Sequence, residues 1–399
     1  MEALRAAINF GADAVYIGGT EFSMRAAPRN FTNAQIAEAA RLTHSNGKKL
    51  YVTCNVLPRC GELRQVERFL ASASEAGADA FIISDMGVFE MAKKVAPNVE
   101  IHISTQTGVV NYAAANTFFS LGARRIVLAR ELSLEEMSEI NSHTPEALQT
   151  EVFVHGSMCV SFSGRCLLSN YLAARDGNHG ECAQPCRWNY ALCEQTNQGG
   201  YLPIYEDDKG THILNSRDLC MIEHIPELVK AGVSSFKIEG RAKSAYYTAA
   251  VTNAYRLALD AYFAEGCNYV FDKKLLREVD LVSHRDYCTG FYFGPIRNGQ
   301  DYSGHYERGS DVIAVVVEGG NEYSLCRQRN RFAPGNIIEA LEPGKTGAPV
   351  EVTAVFDGDM RKIPQASVPD MKCFIRTSRP LASGSMLRRG REDWKAARN

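Results

Sequence analysis

Six of the twelve cysteines in this sequence fall between residues 159 and 220. Thiolates that converge from loops hold a tetrahedral zinc ion or an iron–sulfur cluster. Scattered buried thiols would not group so tightly, and zinc ribbons favour two close Cys-x-x-Cys pairs that are not seen here. The wide, uneven spacing favours a cluster, and a zinc site or a set of buried structural cysteines stays open. The six residues are Cys159, Cys166, Cys182, Cys186, Cys193 and Cys220.

A hydrolytic site is the alternative use of these cysteines. A cysteine peptidase pairs its nucleophile with a histidine, and His155 lies four residues before Cys159 while His179 lies near Cys182. Neither spacing is diagnostic without the fold. The His-Glu-x-x-His motif of zinc peptidases is absent from the sequence. A peptidase with a cysteine or metal site therefore stays open as one alternative function. An RNA-binding protein with a structural cluster is another.

Polar side chains follow the carboxyl ends of several predicted strands, where barrel enzymes build their active sites. We assign three of them as catalytic candidates: His155, Lys237 and Glu239. Arginine binds carboxylates through two parallel hydrogen bonds, so the arginines of this set are candidate anchors for an acidic substrate. An equally open reading is that Lys237, Glu239 and Arg241 form a structural ion-pair set at the barrel rim. The substrate-binding candidates are Asn55, Gln106, Arg130 and Arg241.

The elements that must position these residues alternate between helix and short apolar strand over residues 1–266. Repeats of this length and near-continuous apolar strands predict βα units in a parallel sheet covered on both faces. We count seven strands where a closed barrel needs eight, and the chain begins directly with a helix. The expectation is an α/β fold with a TIM-like (β/α) barrel that lacks its first strand. An open doubly wound sheet is the rival. The cysteines occupy an insertion at 155–220.

The pattern changes after residue 266. Residues 267–310 read as a linker, and residues 311–390 show short alternating strands separated by Gly-containing turns, which predicts a small antiparallel β-barrel domain. Residues 391–399 form a basic tail. Segment 372–399 carries eight basic and two acidic residues, so this domain is expected to contact nucleic-acid phosphates, unless the tail is only solvated. The RNA-binding candidates are Arg327, Arg329, Arg331, Arg388 and Arg389.

The bulk properties are those of an ordinary globular protein. The 399 residues carry a formal net charge of −2, so any nucleic-acid contact must come from a local patch. No apolar run is long enough to cross a membrane, and the first residues are not those of a secretory signal. We expect a cytoplasmic protein without a membrane partner.

Six stretches together resemble the signature of the collagenase-like peptidase U thirty-two family. The resemblance covers roughly residues 1–300, and the C-terminal β domain is similar to that of the longer members. Taken together, the stretches form a long and specific motif. They are 151–159, which includes His155 and Cys159; 163–169, Ser-Gly-Arg-Cys-Leu-Leu-Ser; 175–176, Arg-Asp; 180–188, with Cys182 and Cys186; 215–219, Asn-Ser-Arg-Asp-Leu; and 237–241, Lys-Ile-Glu-Gly-Arg.

Within that family, the sequence is most similar to the members that hydroxylate tRNA. The resemblance implies formation of 5-hydroxyuridine at the wobble position, with tRNA as substrate and prephenate as co-substrate. It also implies a [4Fe-4S] cluster, and it leaves open a related partner subunit. Family members usually begin with a strand and a Pro-Ala-Gly turn, and this chain has neither. The implied cluster ligands are Cys159, Cys166, Cys182 and Cys220, with Cys186 as the alternative.

Overall fold

The computed structural model of the protein describes residues 1–23, 30–159, 217–294 and 306–391, with a few residues between 169 and 212. The chain divides into two compact units, and each contains segments that are distant in sequence. This grouping crosses the boundary expected at residue 266. The larger unit is 13–242 with 285–305, and the smaller unit is 1–12 with 243–284 and 306–399.

Several helices begin at a side chain that caps the free N–H groups of their first turn. Thr32 and Ser133 form capping boxes with Gln35 and Glu136, and Asp85 accepts from the N–H of Val88. The described α-helices are α1 Glu2–Asn9, α2 Asn33–Ser45, α3 Leu63–Glu75, α4 Met86–Val95, α5 Tyr112–Leu121, α6 Leu134–Ser142, α7 Ile225–Lys230, α8 Ala245–Glu265 and α9 Lys273–Asp280.

The strands fall into a large sheet, a closed barrel and two small pairs. The strands that precede the smaller unit's barrel are β1 Ala14–Gly18, β2 Lys49–Cys54, β3 Ala80–Ile83, β4 Glu100–Ile103, β5 Arg125–Val127, β6 Gln149–Ser157, β7 Tyr205–Asp207, β8 Gly210–His212, β9 Asp218–Cys220, β10 Ser235–Ile238, β11 Ser283–His284, β12 Tyr287–Cys288 and β13 Glu307–Arg308. The barrel strands are β14 Ser310–Glu318, β15 Ser324–Gln328, β16 Ile337–Leu341, β17 Ala348–Phe356, β18 Lys372–Thr377 and β19 Met386–Gly390.

The larger unit contains all seven parallel strands that the sequence predicts. Strands β1 to β6 pair in sequence order, and β10 adds to β6. Every residue of β3 is buried, as expected for a strand covered on both faces. The TIM-like architecture is therefore confirmed. The sequence did not predict that β9 and β12 extend this sheet beyond β6.

Side chains, rather than a hydrogen-bonded ladder, connect the first and last parallel strands. Among the strands that the structure describes, β10 pairs only with β6. The Tyr16 hydroxyl of β1 donates to Glu239 Oε2 at 2.8 Å, just after β10. Lys237 of β10 lies with its Nζ 4.5 Å from the Tyr16 ring centroid. These contacts place the ends of β1 and β10 within reach of each other.

The smaller unit contains the predicted antiparallel β-barrel, which is closed by six strands in the order β14-β15-β18-β17-β16-β19. Its core is apolar and includes Ile313, Phe332 and Val352. Helices α1, α8 and α9 belong to the same unit. Arg388 of β19 is fully buried and makes two hydrogen bonds to Glu278 of α9, at 2.6 and 2.8 Å. A buried ion pair thus joins helix to barrel within this unit.

In the described part of the chain, we find no helix that combines the length and the apolar character needed to span a membrane.

Candidate functional site

The carboxyl end of β6 is the position at which the candidate residues converge. His155 is the register partner of Cys220 in the antiparallel pair of β6 and β9, and Cys159 follows two residues after the strand ends at Ser157. His155 is 1% exposed, and its Nε2 lies 3.3 Å from the hydroxyl of Tyr287. The two rings are 5.2 Å apart. This strand end therefore carries an imidazole in contact with a phenol, with a cysteine at the register position across the strand pair.

Glycine is required at residue 156 of this strand. Its φ of +110° lies in the left-handed region. A Cβ there would come 2.5 Å from the backbone oxygen of Glu239, which is closer than any real contact. The N–H of Glu239 in turn donates to the His155 oxygen at 2.9 Å. Gly156 thus allows β10 to approach β6 closely enough to bring Glu239 beside His155.

Three of the five candidate cluster ligands lie within the described residues. Cys159 and Cys182 are exposed and Cys220 is half-buried. Cys166 and Cys186 fall outside the residues that the structure describes. Within the described part of the chain, no three His, Cys, Asp or Glu side chains are grouped closely enough to hold a metal ion. The donor chemistry at the end of β6 suits a thiolate-bound group, but a complete ligand set would have to include residues beyond the described ones.

The buried cysteines outside this region have a different character. Burial raises the pKa of Cys54 to about 12 and that of Cys373 to about 11. Cys373 is the register partner of Cys326 inside the barrel of the smaller unit, and burial raises the pKa of Cys326 further still. Thiols held neutral in an apolar core are poor metal ligands, because the thiolate is the ligand form. Their role is packing.

Lys237 occupies the interior of the parallel sheet and pairs with Glu151 of β6. Its Nζ donates to Glu151 Oε1 at 2.7 Å, and Arg125 donates to Oε2 at 2.9 Å. Burial disfavours the charged carboxylate, but the positive charges of Lys237 and Arg125 outweigh it and lower the pKa of Glu151 to about 2. Lys237 is thus engaged in an ion pair, but its partner is Glu151 and not the Glu239 and Arg241 of the predicted rim set.

Glu239 lies at the carboxyl end of β10 and is 6% exposed. Its Oε2 accepts from the Tyr16 hydroxyl at 2.8 Å, and its Oε1 accepts from the N–H of Arg241 at 3.2 Å. The carboxylate is therefore held in place by β1 and by its own loop. It occupies the same end of the sheet as His155.

Arg241 and Arg130 flank β6 on either side. Arg241 donates from one Nη to Ser23 Oγ at 2.7 Å, and the same oxygen accepts a hydrogen bond from the Thr53 hydroxyl at 3.1 Å. Arg130 follows β5, donates to the backbone oxygen of Ser157 at 3.0 Å, and stacks on Phe153 at 3.9 Å. In both arginines Nε is buried with no hydrogen-bond partner among the described residues. A buried N–H group without a hydrogen-bond partner can donate to an oxygen of a bound ligand.

The remaining substrate-binding candidates lie at the ends of other strands. Asn55 follows β2, is 8% exposed, and its backbone oxygen accepts from Ser84 at 3.2 Å. Gln106 is half-buried in the turn after β4, where its N–H donates to Ser104 Oγ at 3.3 Å. Both therefore occupy the expected edge of the sheet, but they come from strands that do not pair with β6.

Residues of the predicted linker contribute to this site, which the sequence analysis did not predict. Arg285 makes three contacts with Asp218, at 2.8, 3.2 and 3.3 Å, and both residues are at most 1% exposed. Tyr287 reaches His155, and the Tyr292 hydroxyl donates to the backbone oxygen of Phe153. The signal available in the sequence was the group of charged and aromatic residues in this segment, which includes Arg285, Tyr287 and Tyr292.

The arginines predicted to bind RNA fall into three environments within the smaller unit. Arg388 is buried and engaged by Glu278, so it is not available to a phosphate. Arg327 and Arg329 are partly neutralised because both pair with Glu2 and Asp370. Arg331 and Arg389 are exposed. Arg308, which the RNA-binding prediction did not include, and Arg391 of the predicted basic tail both pair with Asp311, each at 2.9 Å.

Comparison with known proteins identifies relatives over the whole chain. The family described as "Peptidase family U32" matches residues 1–301, and "Peptidase family U32 C-terminal domain" matches residues 308–388. The tRNA hydroxylation protein P1 of Bacillus subtilis is 34% identical over 395 residues, which is 98% of this chain and 93% of that protein. The tRNA hydroxylation protein P of Escherichia coli is 34% identical, covering 85% of this chain and 84% of its own. The 23S rRNA 5-hydroxycytidine synthase of Escherichia coli is 38% identical over 65% of this chain and 38% of its own length.

Proposed function

The chain belongs to peptidase family U32, and on that premise we propose that it is an RNA-modifying hydroxylase. Its reaction is the formation of 5-hydroxyuridine at the wobble position of tRNA, with prephenate as the co-substrate. The observation that carries this proposal is the similarity to tRNA hydroxylation protein P1, which extends over 98% of the chain rather than over one domain. The similarity to an rRNA 5-hydroxycytidine synthase supports pyrimidine hydroxylation as the shared chemistry.

The cofactor in this proposal is a [4Fe-4S] cluster. We assign its ligands as Cys159, Cys166, Cys182 and Cys220, with Cys186 as the alternative. The support is the position of Cys220 opposite His155 on the strand end that leads to Cys159. A bound cluster supplies one-electron redox chemistry. The chain's own part is to place His155 beside that group and to hold its ring with Tyr287.

Prephenate carries two carboxylates, and the site offers arginines to match them. Arg130 and Arg241 follow β5 and β10, the two strands that pair with β6 in parallel. Each has a buried Nε that lacks a partner among the described residues. A carboxylate bound through Nε and an Nη would satisfy that donor, whose loss of solvation otherwise costs about 1–3 kcal/mol. We therefore keep both residues as carboxylate anchors, with Gln106 and Asn55 as further contacts at the same edge.

The three catalytic candidates take different roles. Glu239 and His155 lie next to each other at the end of the sheet and are the groups that would accept or donate a proton. Lys237 is occupied by Glu151 and lies against the Tyr16 ring. Because Tyr16 holds Glu239, Lys237 acts in this proposal through Tyr16 and is a positioning residue.

The RNA contacts in this proposal come from the smaller unit. The exposed arginines Arg331 and Arg389 would bind phosphates, and Arg327 and Arg329 would contribute less because Glu2 and Asp370 already pair with them. Phosphate contacts set affinity and position without reading sequence. An anticodon loop is single-stranded, so its target base can be splayed out toward an active site.

The test is a digest of tRNA and rRNA from a strain that lacks the gene, analysed for hydroxylated nucleosides by mass spectrometry. The proposal predicts loss of 5-hydroxyuridine from tRNA and its return when the wild-type gene is supplied. Unchanged tRNA with lost 5-hydroxycytidine in rRNA would reassign the substrate. Unchanged levels of both nucleosides, with cleavage of unfolded collagen by the purified protein, would replace the proposal by a peptidase.

A further inference from the structure

We infer that Arg217 is the third arginine of an oxyanion-binding site at the end of β6. It is not among the residues that the sequence singles out for binding. The identity of its ligand rests on the proposed function, because a carboxylate of the small acid and a phosphate of the RNA present the same chemistry to a guanidinium. The site itself rests on the fold.

The position of Arg217 is fixed by its neighbour in the chain. Asp218 begins β9, and its carboxylate is held by Arg285 through contacts of 2.8 and 3.2 Å in a fully buried pair. Asp218 is also the register partner of Ser157, whose backbone oxygen accepts from Arg130 at 3.0 Å. Arg217 and Arg130 therefore approach the same turn from two different strands.

The guanidinium of Arg217 has a buried donor that nothing in the described residues uses. Its Nε is inaccessible to solvent and lacks a hydrogen-bond partner there, as in Arg130 and Arg241. All three arginines belong to segments that pair directly with β6 or flank its end. Because these three buried donors of one chemical type come from segments around one strand end, we assign them to one oxyanion-binding site.

The charges around Arg217 leave it positive. The nearest acid in sequence, Asp218, is already neutralised by Arg285. Burial raises the pKa of the Cys288 thiol, while a hydrogen bond from the Gly290 backbone and the positive charge of Arg217 act in the opposite direction. Arg217 therefore brings positive charge close to Cys288, on the β9–β12 side of the site.

A guanidinium binds an oxyanion through Nε and one Nη in parallel, and an ammonium group cannot reproduce this geometry. Lysine at residue 217 would keep the charge but lose the Nε donor. Arg217→Lys and Arg217→Gln together therefore separate bidentate recognition from simple charge. Arg124→Gln is the matched control, since Arg124 is exposed immediately before β5, at the opposite end of the strands, and the substitution removes the same charge.

The experiment is calorimetric titration of the full chain, purified anaerobically, with prephenate, with a 17-nucleotide anticodon stem-loop RNA and with inorganic phosphate. We expect both Arg217 variants to weaken binding of at least one probe by tenfold or more, and the control to bind like the wild type. Weaker prephenate binding assigns Arg217 to a carboxylate, and weaker RNA binding assigns it to a phosphate.

The inference is overturned if Arg217→Gln binds all three probes within twofold of the wild type, or if Arg217→Lys restores wild-type binding. Should Arg217→Gln fail to fold, judged by its melting temperature, Arg217→Lys alone decides. If the wild type binds neither prephenate nor RNA, the proposed function fails, and the inorganic phosphate titration then decides the arginine site on its own.

Discussion

His155 lies directly across the β6–β9 pair from Cys220, and its Nε2 lies 3.3 Å from the hydroxyl of Tyr287 on β12. Three strands thus meet at one histidine, because β6 carries His155, β9 carries Cys220 and β12 carries Tyr287. A hydrogen bond at one ring nitrogen influences which tautomer the imidazole adopts and hence what the other nitrogen can do. We therefore expect a substitution of Tyr287 to change the acid–base chemistry of His155.

Replacing Tyr287 by phenylalanine tests this relationship. The ring contact with His155 is kept and only the hydroxyl is lost. We expect kcat for hydroxylation to fall about tenfold, at the lower end of the range for supporting hydrogen bonds, while KM for tRNA is unchanged. Tyr112→Phe, on an exposed tyrosine of the same unit, should leave both constants unchanged. A change in KM alone would show that Tyr287 contacts substrate instead of positioning His155.

Glu151 is predicted to stabilise the protein in a pH-dependent manner. Its pKa is lowered from 4.5 to about 2, so its contribution is fully present above pH 4.5 and is lost as pH falls through 2. Glu151→Gln should therefore lower the free energy of unfolding at pH 7 by on the order of 3 kcal/mol. Urea unfolding at pH 7 and pH 3 measures this, and the deficit should be smaller at pH 3. The exposed Glu67→Gln is the control, and an equal loss at both pH values would contradict the ion-pair account.

Arg388 and Arg389 are adjacent in sequence and should behave oppositely. Arg388→Met leaves Glu278 buried without its main partner, which should cost about 3–5 kcal/mol of unfolding free energy. Arg389→Met changes an exposed side chain and should cost at most about 0.5 kcal/mol. Thermal unfolding of both variants distinguishes them. Recovery of stability in the double variant Arg388→Met, Glu278→Leu is expected, and equal stability of the two single variants would contradict the buried pair.

The exposed arginines of the smaller unit should set the salt dependence of RNA binding. Arg331→Ala with Arg389→Ala removes two phosphate contacts, so the slope of log affinity against log salt should decrease by about 0.7 per contact. Affinity should fall equally for tRNAs of different sequence. Arg361→Ala with Lys362→Ala removes the same charge from another exposed segment and should leave the slope nearly unchanged. An unchanged slope in the first variant would exclude these residues from the RNA surface.

The cluster ligands can be tested without activity. Anaerobically purified wild-type protein should contain about four iron and four sulfide per chain. Cys220→Ser should lose most of both, because its register partner His155 places it at the proposed site. Cys326→Ser, inside the small barrel, should retain both. Stoichiometric zinc in the wild type would contradict the cluster.

The sequence predicted the parts of the fold that local patterns specify. Apolar runs such as residues 80–83 became buried parallel strands, and the alternating segments after 311 became a closed antiparallel barrel. The contribution of β12 was not predictable in this way, since a strand of two residues has no periodicity and its partner β9 is distant in sequence. Tertiary contacts alone decide such pairings.

Burial of charged residues was the other failure of local reasoning. Arg388 and Arg389 look equivalent in a basic run, yet it is Arg388 that pairs with the carboxylate of Glu278 on α9. Lys237 likewise has the sequence position of a catalytic residue, but in the structure it pairs with Glu151, which is 86 residues away in sequence. Single residues that pair over such distances leave no signal in their own neighbourhood. The buried Nε atoms that lack a hydrogen-bond partner among the described residues also leave no signal in the sequence, because they depend on the tertiary structure.

In the proposed function, the cysteines at the end of β6 are required for hydroxylation of tRNA. The most direct measurement is the 5-hydroxyuridine content of tRNA from the gene-deleted strain that carries the wild-type gene, Cys159→Ser or Cys60→Ser. Cys60 is an exposed cysteine of the same unit that lies in the turn before α3, away from the proposed ligands in sequence. We predict full recovery with the wild type and Cys60→Ser, and none with Cys159→Ser at equal protein levels. Full recovery with Cys159→Ser would contradict the account.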